Sequence, residues 1–227
     1  MEVEEEGDLV RETITADDVI AILEKMAADM EGAKDYLTEL DAAMGDGDQG
    51  VTMTIGFRAI KDKLPGLKGK DIGTILIQSG LTFNRTAAST IGALLATAFG
   101  RAGREARERE AIGLAELVTM CKAAETGLRE RGGADVGDKT LMDTVVPLVR
   151  TLEKAQAEGA SLPEALGLSL AAAEEGMKST IPLKAKLGRA AWIPERSVGH
   201  QDPGATSFYL MWKSAVEYLT ADYGGQT

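Results

Sequence analysis

The sequence predicts an all-α fold, a single domain of eight amphipathic helices arranged as an antiparallel up-and-down barrel or bundle. Three observations lead there. Hydrophobic residues make up 44% of the 227 positions and aromatic residues only 4%, a mix too poor in strand-forming side chains for a β-sandwich. Apolar residues recur at three- and four-residue spacing along most of the chain, and no segment alternates convincingly with period two. The connections between periodic segments are mostly short, which makes consecutive helices antiparallel neighbours.

Residues 1–12 form an acidic N-terminal segment expected to be flexible, and 13–227 the single helical domain. Thr15-Ala-Asp-Asp18 predicts a capping box, in which hydroxyl and carboxylate satisfy the orphan amides of a helix start. Val19, Ile22, Leu23, Met26 and Met30 follow at helical spacing as the first helix. The same periodicity predicts helices over 49–64, 71–83, 88–101, 113–131, 139–158, 162–179 and 206–219. Gly137-Asp-Lys-Thr140 starts the sixth, with Asp138 as its N-cap. Ser161-Leu-Pro-Glu164 starts the seventh as a second capping box, with Pro163 at an early helical position.

In an up-and-down arrangement the loops after helices one, three, five and seven all lie at one end. These are residues 41–49, 84–87, 132–138 and 181–205. The loops at the other end, 65–70, 101–110 and 157–161, are turn-like or carry solvated charges of mixed sign. The last loop of the first set is about 25 residues long, contains Pro182, Pro194 and Pro203, and shows no helical period. Structureless loops beyond roughly 12–15 residues are uncommon in compact domains and are usually functional or disordered, and Trp192, Ile193 and Val198 argue against disorder.

The formal net charge of −11 repels the phosphates of nucleic acid and of anionic lipid, so neither is expected as a partner. An anionic ligand then requires metal ions to bridge it to the carboxylates. The longest clean apolar run, 91–99, is far too short to span a bilayer. The acidic first residues lack the basic and apolar regions of a signal peptide. The one cysteine, Cys121, falls at a helical period with Leu114, Leu117, Val118 and Leu128 and reads as a small buried hydrophobe. A reducing cytoplasm is the expected location.

Leu40-Asp-Ala-Ala-Met-Gly-Asp-Gly-Asp-Gln-Gly50 places Asp41, Asp46 and Asp48 within eight residues. Any one of them alone is explained as a turn or N-cap residue. Three crowded together with Gly45, Gly47 and Gly50 favour a cation, and oxygen ligands of this kind suit Mg²⁺ or Ca²⁺. Gly45-Asp-Gly-Asp-Gln-Gly50 formally fits G-x-G-x-x-G, yet the preceding segment is helical and no βαβ unit surrounds it. An EF-hand starting at Asp46 needs a glutamate where Phe57 stands. No Walker A sequence occurs. What survives is a carboxylate cluster at a helix start, whose amides meet an anion: a combination suited to a metal-bound polyphosphate. Gly199-His-Gln-Asp-Pro-Gly-Ala-Thr-Ser207 adds a lone His200, an Asp and a Pro-Gly turn before the last helix, with Arg189 and Arg196 upstream. A lone histidine is more often structural than catalytic.

Taken together these segments are specific. The aspartate loop, Lys70-Asp-Ile-Gly73, Gly137-Asp-Lys-Thr140, Gly188-Arg-Ala190 and Glu195-Arg-Ser-Val-Gly-His-Gln-Asp-Pro-Gly-Ala-Thr-Ser207 resemble, in order and over nearly the whole chain, the nucleotide-binding L subunits of bacterial dihydroxyacetone kinases. The resemblance implies that family's eight-helix barrel. It implies that Asp41, Asp46 and Asp48 hold two Mg²⁺ ions between the protein and the phosphates of ATP or of a tightly bound ADP. It puts Gln49, Gly50, Val51, Thr52, Gly132, Leu141, Arg189, Asp202, Pro203 and Gly204 at the nucleotide, with Arg189 as the catalytic clamp on the transferring group. Thr90 and Ile91 fall in the family's Gly-Gly-Ala-Ser-Gly loop, which reads Ala88-Ser-Thr-Ile-Gly92 here. Gln49 stands where the family usually has His, and Arg85 is a further phosphate candidate.

The implied partner is a sugar-binding K subunit that holds a small ketose covalently through a histidine, with a phosphotransferase M subunit as a second partner. A homodimer, or a heteromer with the K subunit, is expected. The leading reading is therefore phosphoryl transfer to a sugar hydroxyl. The alternatives are a non-catalytic nucleotide-binding regulatory module of the same family, a kinase subunit for a different small sugar, and a purely structural helical protein, which the three aspartates oppose.

Overall fold

Helix starts are set locally, by side chains that accept the amides a first turn leaves unpaired. In the computed structural model, which describes residues 11–221, a two-residue strand β1 (Ile14–Thr15) leads into α1 (Ala16–Gly32), followed by α2 (Lys34–Met44), α3 (Gln49–Lys63) and a 3-10 turn at Leu64–Leu67. Then come α4 (Ile72–Thr86), α5 (Thr90–Glu105), β2 (Ala111–Ile112), α6 (Leu114–Gly132), α7 (Met142–Ala157) and α8 (Leu162–Ser179). A 3-10 turn at Arg189–Trp192, the short α9 (Pro194–Ser197) and α10 (Pro203–Thr220) complete the order. The first ten residues of the expected flexible segment lie outside the described residues. Arg11 is ion-paired with Asp18 at 3.0 Å.

Thr15 and Asp18 form the predicted reciprocal capping box. Asp71, Ser89 and Asp202 cap α4, α5 and α10 by accepting from Thr74, Gly92 and Ala205. Two expectations are corrected. Ser161 accepts from the Glu164 amide, but the return bond of a full box is not among the described hydrogen bonds. Asp138 does not cap the sixth predicted helix, because α7 begins later, at Met142. Its place is taken from inside the helix by Asp143, whose carboxylate accepts from the amides of Gly137 and Thr140 at 2.6 and 2.8 Å.

The first predicted helix divides at Ala33, whose backbone (φ −90, ψ 0) ends α1 and starts α2. The break turns α2 toward α3, α9 and α10. The strands β1 and β2 pair antiparallel through Ile14 with Ile112 and Thr15 with Ala111, too short to show a period of two. The long helices form a closed ring: α1 beside α3, then α4, α5, α6, α7, α8 and α10, which returns to α1. This is the predicted eight-helix barrel, with α2 and α9 as additions at one end. No described helix is long and apolar enough to cross a membrane.

Leu23, Met30, Phe57, Ile75, Phe83, Leu95, Val149 and Leu152 are among the core side chains with almost no exposure. Phe57 of α3 meets Phe83 of α4 edge to face, centroids 5.6 Å apart at 82°. The barrel retains a cavity of about 200 Å³ lined by side chains such as Met26, Cys121, Leu148 and Phe208. Burial pushes the Cys121 thiol up to about 12, so it stays protonated and behaves as the expected small hydrophobe.

Because Phe83 is wholly buried and holds α4 to α3, Phe83→Ala should cost about 3–5 kcal/mol in equilibrium denaturant unfolding. A loss below about 1 kcal/mol would show that the α3–α4 contact tolerates a void and does not tie the ring together.

Candidate functional site

Asp41 lies on the last turn of α2, and Asp46 and Asp48 on the turn leading into α3. Gly47 holds a left-handed conformation there (φ 76), which turns the chain between the two acids. Oxygens from all three carboxylates lie within 4.8 Å of one another. Asp41 is also structural: its Oδ2 accepts from the amides of Asp48 at 2.8 Å and Gln49 at 3.2 Å, capping α3 from the helix before it. Burial and then the neighbouring Asp41 charge raise the Asp48 pKa. Such an all-carboxylate oxygen set fits a hard divalent cation of the Mg²⁺ type.

Arg189 reaches this cluster from the segment between α8 and α10. Its guanidinium pairs with Asp46 and lies 3.3 Å from Asp48 Oδ2. A permanently charged, planar donor beside the acids is well placed to exchange carboxylate for phosphate oxygens.

A cleft of about 270 Å³ opens at the same end of the barrel. It brings together Gln49, Thr90, Ile91, Gly132, Leu141, Asp202 and Gly204 of the predicted nucleotide residues, drawn from three of the four loops assigned to that end and from the starts of α5 and α7. Gly50, Val51, Thr52, Pro203 and Arg189 are not part of its lining. Val51 is exposed and Pro203 is buried at the start of α10. Gly50 serves the helix contact: a side chain there would collide with the Lys34 carbonyl and the Thr38 hydroxyl of α2. Gln49 donates from its amide to Ser207 Oγ on α10 at 2.9 Å, tying two helix starts together. The Ser89 hydroxyl is engaged in capping, between the Gly92 amide and the Ala87 carbonyl, while Thr90 is exposed at the cleft. Arg85 is exposed on the last turn of α4. His200 contributes its backbone carbonyl, which accepts from Lys139.

The cleft residues not expected from sequence include Leu94, Leu128 and Lys139. Lys139 lies within Gly137-Asp-Lys-Thr140, a helix start and one of the resembling segments, which by itself assigns the lysine no role. Burial lowers its pKa, opposed by the charges of Asp202 and Asp143. Burial pushes the Asp202 carboxyl the other way, to about 7, against the amide bond from Ala205 and the nearby Lys139.

The DAK2 domain family matches residues 43–217. The ADP-binding subunit DhaL of the PEP-dependent dihydroxyacetone kinase of Escherichia coli (strain K12) is 41% identical over 78% of this chain and 84% of its own. That of a second PEP-dependent dihydroxyacetone kinase, from Listeria innocua, is 34% identical over 87% of this chain and 92% of its own. A D-erythrulose kinase of Mycolicibacterium smegmatis is 32% identical over 92% of this chain, which spans 36% of that protein. Among solved structures, the dihydroxyacetone kinase of C. freundii in native form superposes with a TM-score of 0.69 at 24% identity. The match covers 96% of this chain and 37% of that one and shares the helical-barrel fold.

The raised Asp202 pKa predicts a pH dependence. The folded chain holds a proton on Asp202 between about pH 4 and 7, where the unfolded chain has lost it, so this group's stabilising contribution declines as pH rises through that window. Asp202→Asn keeps a capping acceptor and removes the titration. In urea unfolding the variant should gain stability relative to the parent as pH rises from about 4 to 7. Parallel profiles would mean that Asp202 titrates as an ordinary carboxylate.

Proposed function

The chain belongs to the DAK2-domain family, and from that premise we propose that it is the nucleotide- and magnesium-binding subunit of a dihydroxyacetone (glycerone) kinase. It delivers a phosphoryl group to a small ketose held by a partner K subunit. The observation that carries this reading is the meeting of three carboxylates, the start of α3 and Arg189 beside one cleft.

In this reading Asp41, Asp46 and Asp48 hold two Mg²⁺ ions. Bound magnesium neutralises charge on the phosphate oxygens. The amides at the start of α3 and the guanidinium of Arg189 supply donors toward the same oxygens, and Arg189 clamps the group that moves. Ile91, Leu94, Leu128 and Leu141 give the cleft an apolar wall suited to a purine ring. Gln49, Thr90, Gly132 and Gly204 offer polar or close backbone contacts around it. Gly50, Val51, Thr52 and Pro203 support the nucleotide through the helix starts they occupy.

The acceptor hydroxyl comes from the K subunit, because beyond the loops at the carboxylate end no described loop is equipped to hold a small polyol. The PEP-dependent names of the E. coli and L. innocua relatives support a resident ADP recharged by a phosphotransferase M subunit over exchange of ATP. The erythrulose kinases among the relatives support a second reading for the acceptor, a four-carbon ketose. A heteromer with the K subunit in the cytoplasm fits both.

Asp46→Asn and Asp48→Asn should each weaken magnesium-dependent ADP binding tenfold or more, since unlike charges at about 4 Å interact by several kcal/mol at intermediate dielectric. Asp41→Ala should do the same and also lower stability by about 1 kcal/mol through loss of the α3 cap. Unchanged calorimetric binding in all three would remove the metal assignment. The purified chain should form no sugar phosphate from Mg²⁺, ATP and dihydroxyacetone until a K subunit is added, and full-rate turnover by the chain alone would refute the split site.

A further inference from the structure

The segment that carries Arg189 leaves the barrel and returns to it at one point. The Asp202 amide donates to Thr180 Oγ1 at 3.0 Å, and the Gly199 amide, at a left-handed glycine (φ 86), donates to the Ile181 carbonyl at 2.8 Å. Into this neck runs Lys139 from the separate connection between α6 and α7. Its ammonium donates to the Thr180 carbonyl at 2.6 Å and the His200 carbonyl at 2.5 Å, one on each side of the neck. Lys139 is 1% exposed and is the only charged residue among the largest fully buried side chains described. Its backbone sits at φ 61, a conformation that a residue with a Cβ keeps only when its surroundings hold it there.

Two converging buried carbonyls need a donor with several N–H groups on a long stem, which is what a lysine provides. Next to it, the Asp138 carboxylate accepts from Lys186 Nζ at 2.8 Å and its carbonyl from the Lys186 amide at 3.2 Å. Arg189 follows three residues later. Elsewhere the loop is held by Ser197 Oγ, which accepts from the Ala185 amide at 2.9 Å, by the Lys184–Glu195 pair at 3.1 Å and by Arg196, which donates to the Ala43 carbonyl at 3.3 Å, while Trp192 is 82% exposed. Tying the two ends of a loop of about 20 residues together limits the volume its tip can explore.

We propose that Lys139 is a positioning residue for phosphoryl transfer: by clamping the neck of the 181–199 loop it fixes where Arg189 stands at the carboxylate cluster. This rests on the role given to Arg189 above. Misplacing a clamp by about an ångström costs up to about a hundredfold in rate, whereas nucleotide affinity, set mainly by metal and cleft, changes little.

The test uses Lys139→Met, Arg189→Lys and the double variant, with turnover measured in the presence of the K subunit, ADP binding by calorimetry, and limited trypsin cleavage of the chain alone. Lys139→Met should lower turnover about tenfold or more and ADP affinity less than about threefold, and the double variant should be little worse than the poorer single variant. Trypsin should cut faster at Lys184, Lys186, Arg189 and Arg196 and not elsewhere. Additive losses in the double variant, or an ADP affinity that falls as far as turnover, would overturn the positioning role; the second result would make Lys139 a direct nucleotide contact. If Lys139→Met does not fold, Gly199→Ala strains the same neck from its other bond, and unchanged cutting and turnover there would also overturn it. Should Arg189→Lys leave turnover intact, the role of Arg189 fails, and the cleavage pattern still judges the clamp.

Discussion

Three like charges held within 4.8 Å impose the condition that the carboxylate end of this barrel is built to meet. Each pair of carboxylates at about 4 Å repels by about 1 kcal/mol in water and several times that near a protein surface. The chain answers with positive potential from two directions. The start of α3 turns its amides onto Asp41, and Arg189 closes on Asp46 and Asp48 from a distant segment. Neither supplies a full counter-charge for three acids. A hard divalent cation beside Arg189 does, and in the proposed cycle the nucleotide's phosphates then face metal where they would otherwise face bare carboxylate.

The barrel makes that arrangement durable. Closure of α10 on α1 gives each long helix of the ring a neighbour on both sides, and the apolar interior holds the helices in register. Loops that connect alternate pairs of helices therefore meet at a rigid rim. Groups far apart in sequence, such as Gln49 and Ser207, come within hydrogen-bond distance without an ordering cost at the moment of binding. The same rim carries both the cleft and the acids, so in the proposed reading binding energy along a nucleotide bears directly on the placement of its phosphates.

A single aspartate has two tasks at this rim, and so does a glycine. Asp41 is both the cap of α3 and a member of the cluster, and Gly50 sits in the segment proposed to meet the nucleotide while its missing side chain lets α2 approach α3. Fold and function overlap at these positions, and a substitution there reads out in both.

Helical periodicity, the Thr15–Asp18 cap and the alternation of loops between two ends were legible in the sequence, because each depends on residues within about one or two turns of each other. The carboxylate cluster was legible for the same reason, its three acids being at most seven positions apart. The division at Ala33, the β1–β2 pair and the late start of α7 were not. Each answers to a packing partner elsewhere in the chain, and local propensity is indifferent to it. Arg189 could be suspected from its motif, but its approach to acids more than 140 positions away depends on how a long aperiodic loop is tied down. Lys139 shows the limit most plainly. By itself it is one lysine at a presumed helix start, and only closure of the barrel brings together the two carbonyls, 41 and 61 residues downstream, that its ammonium joins.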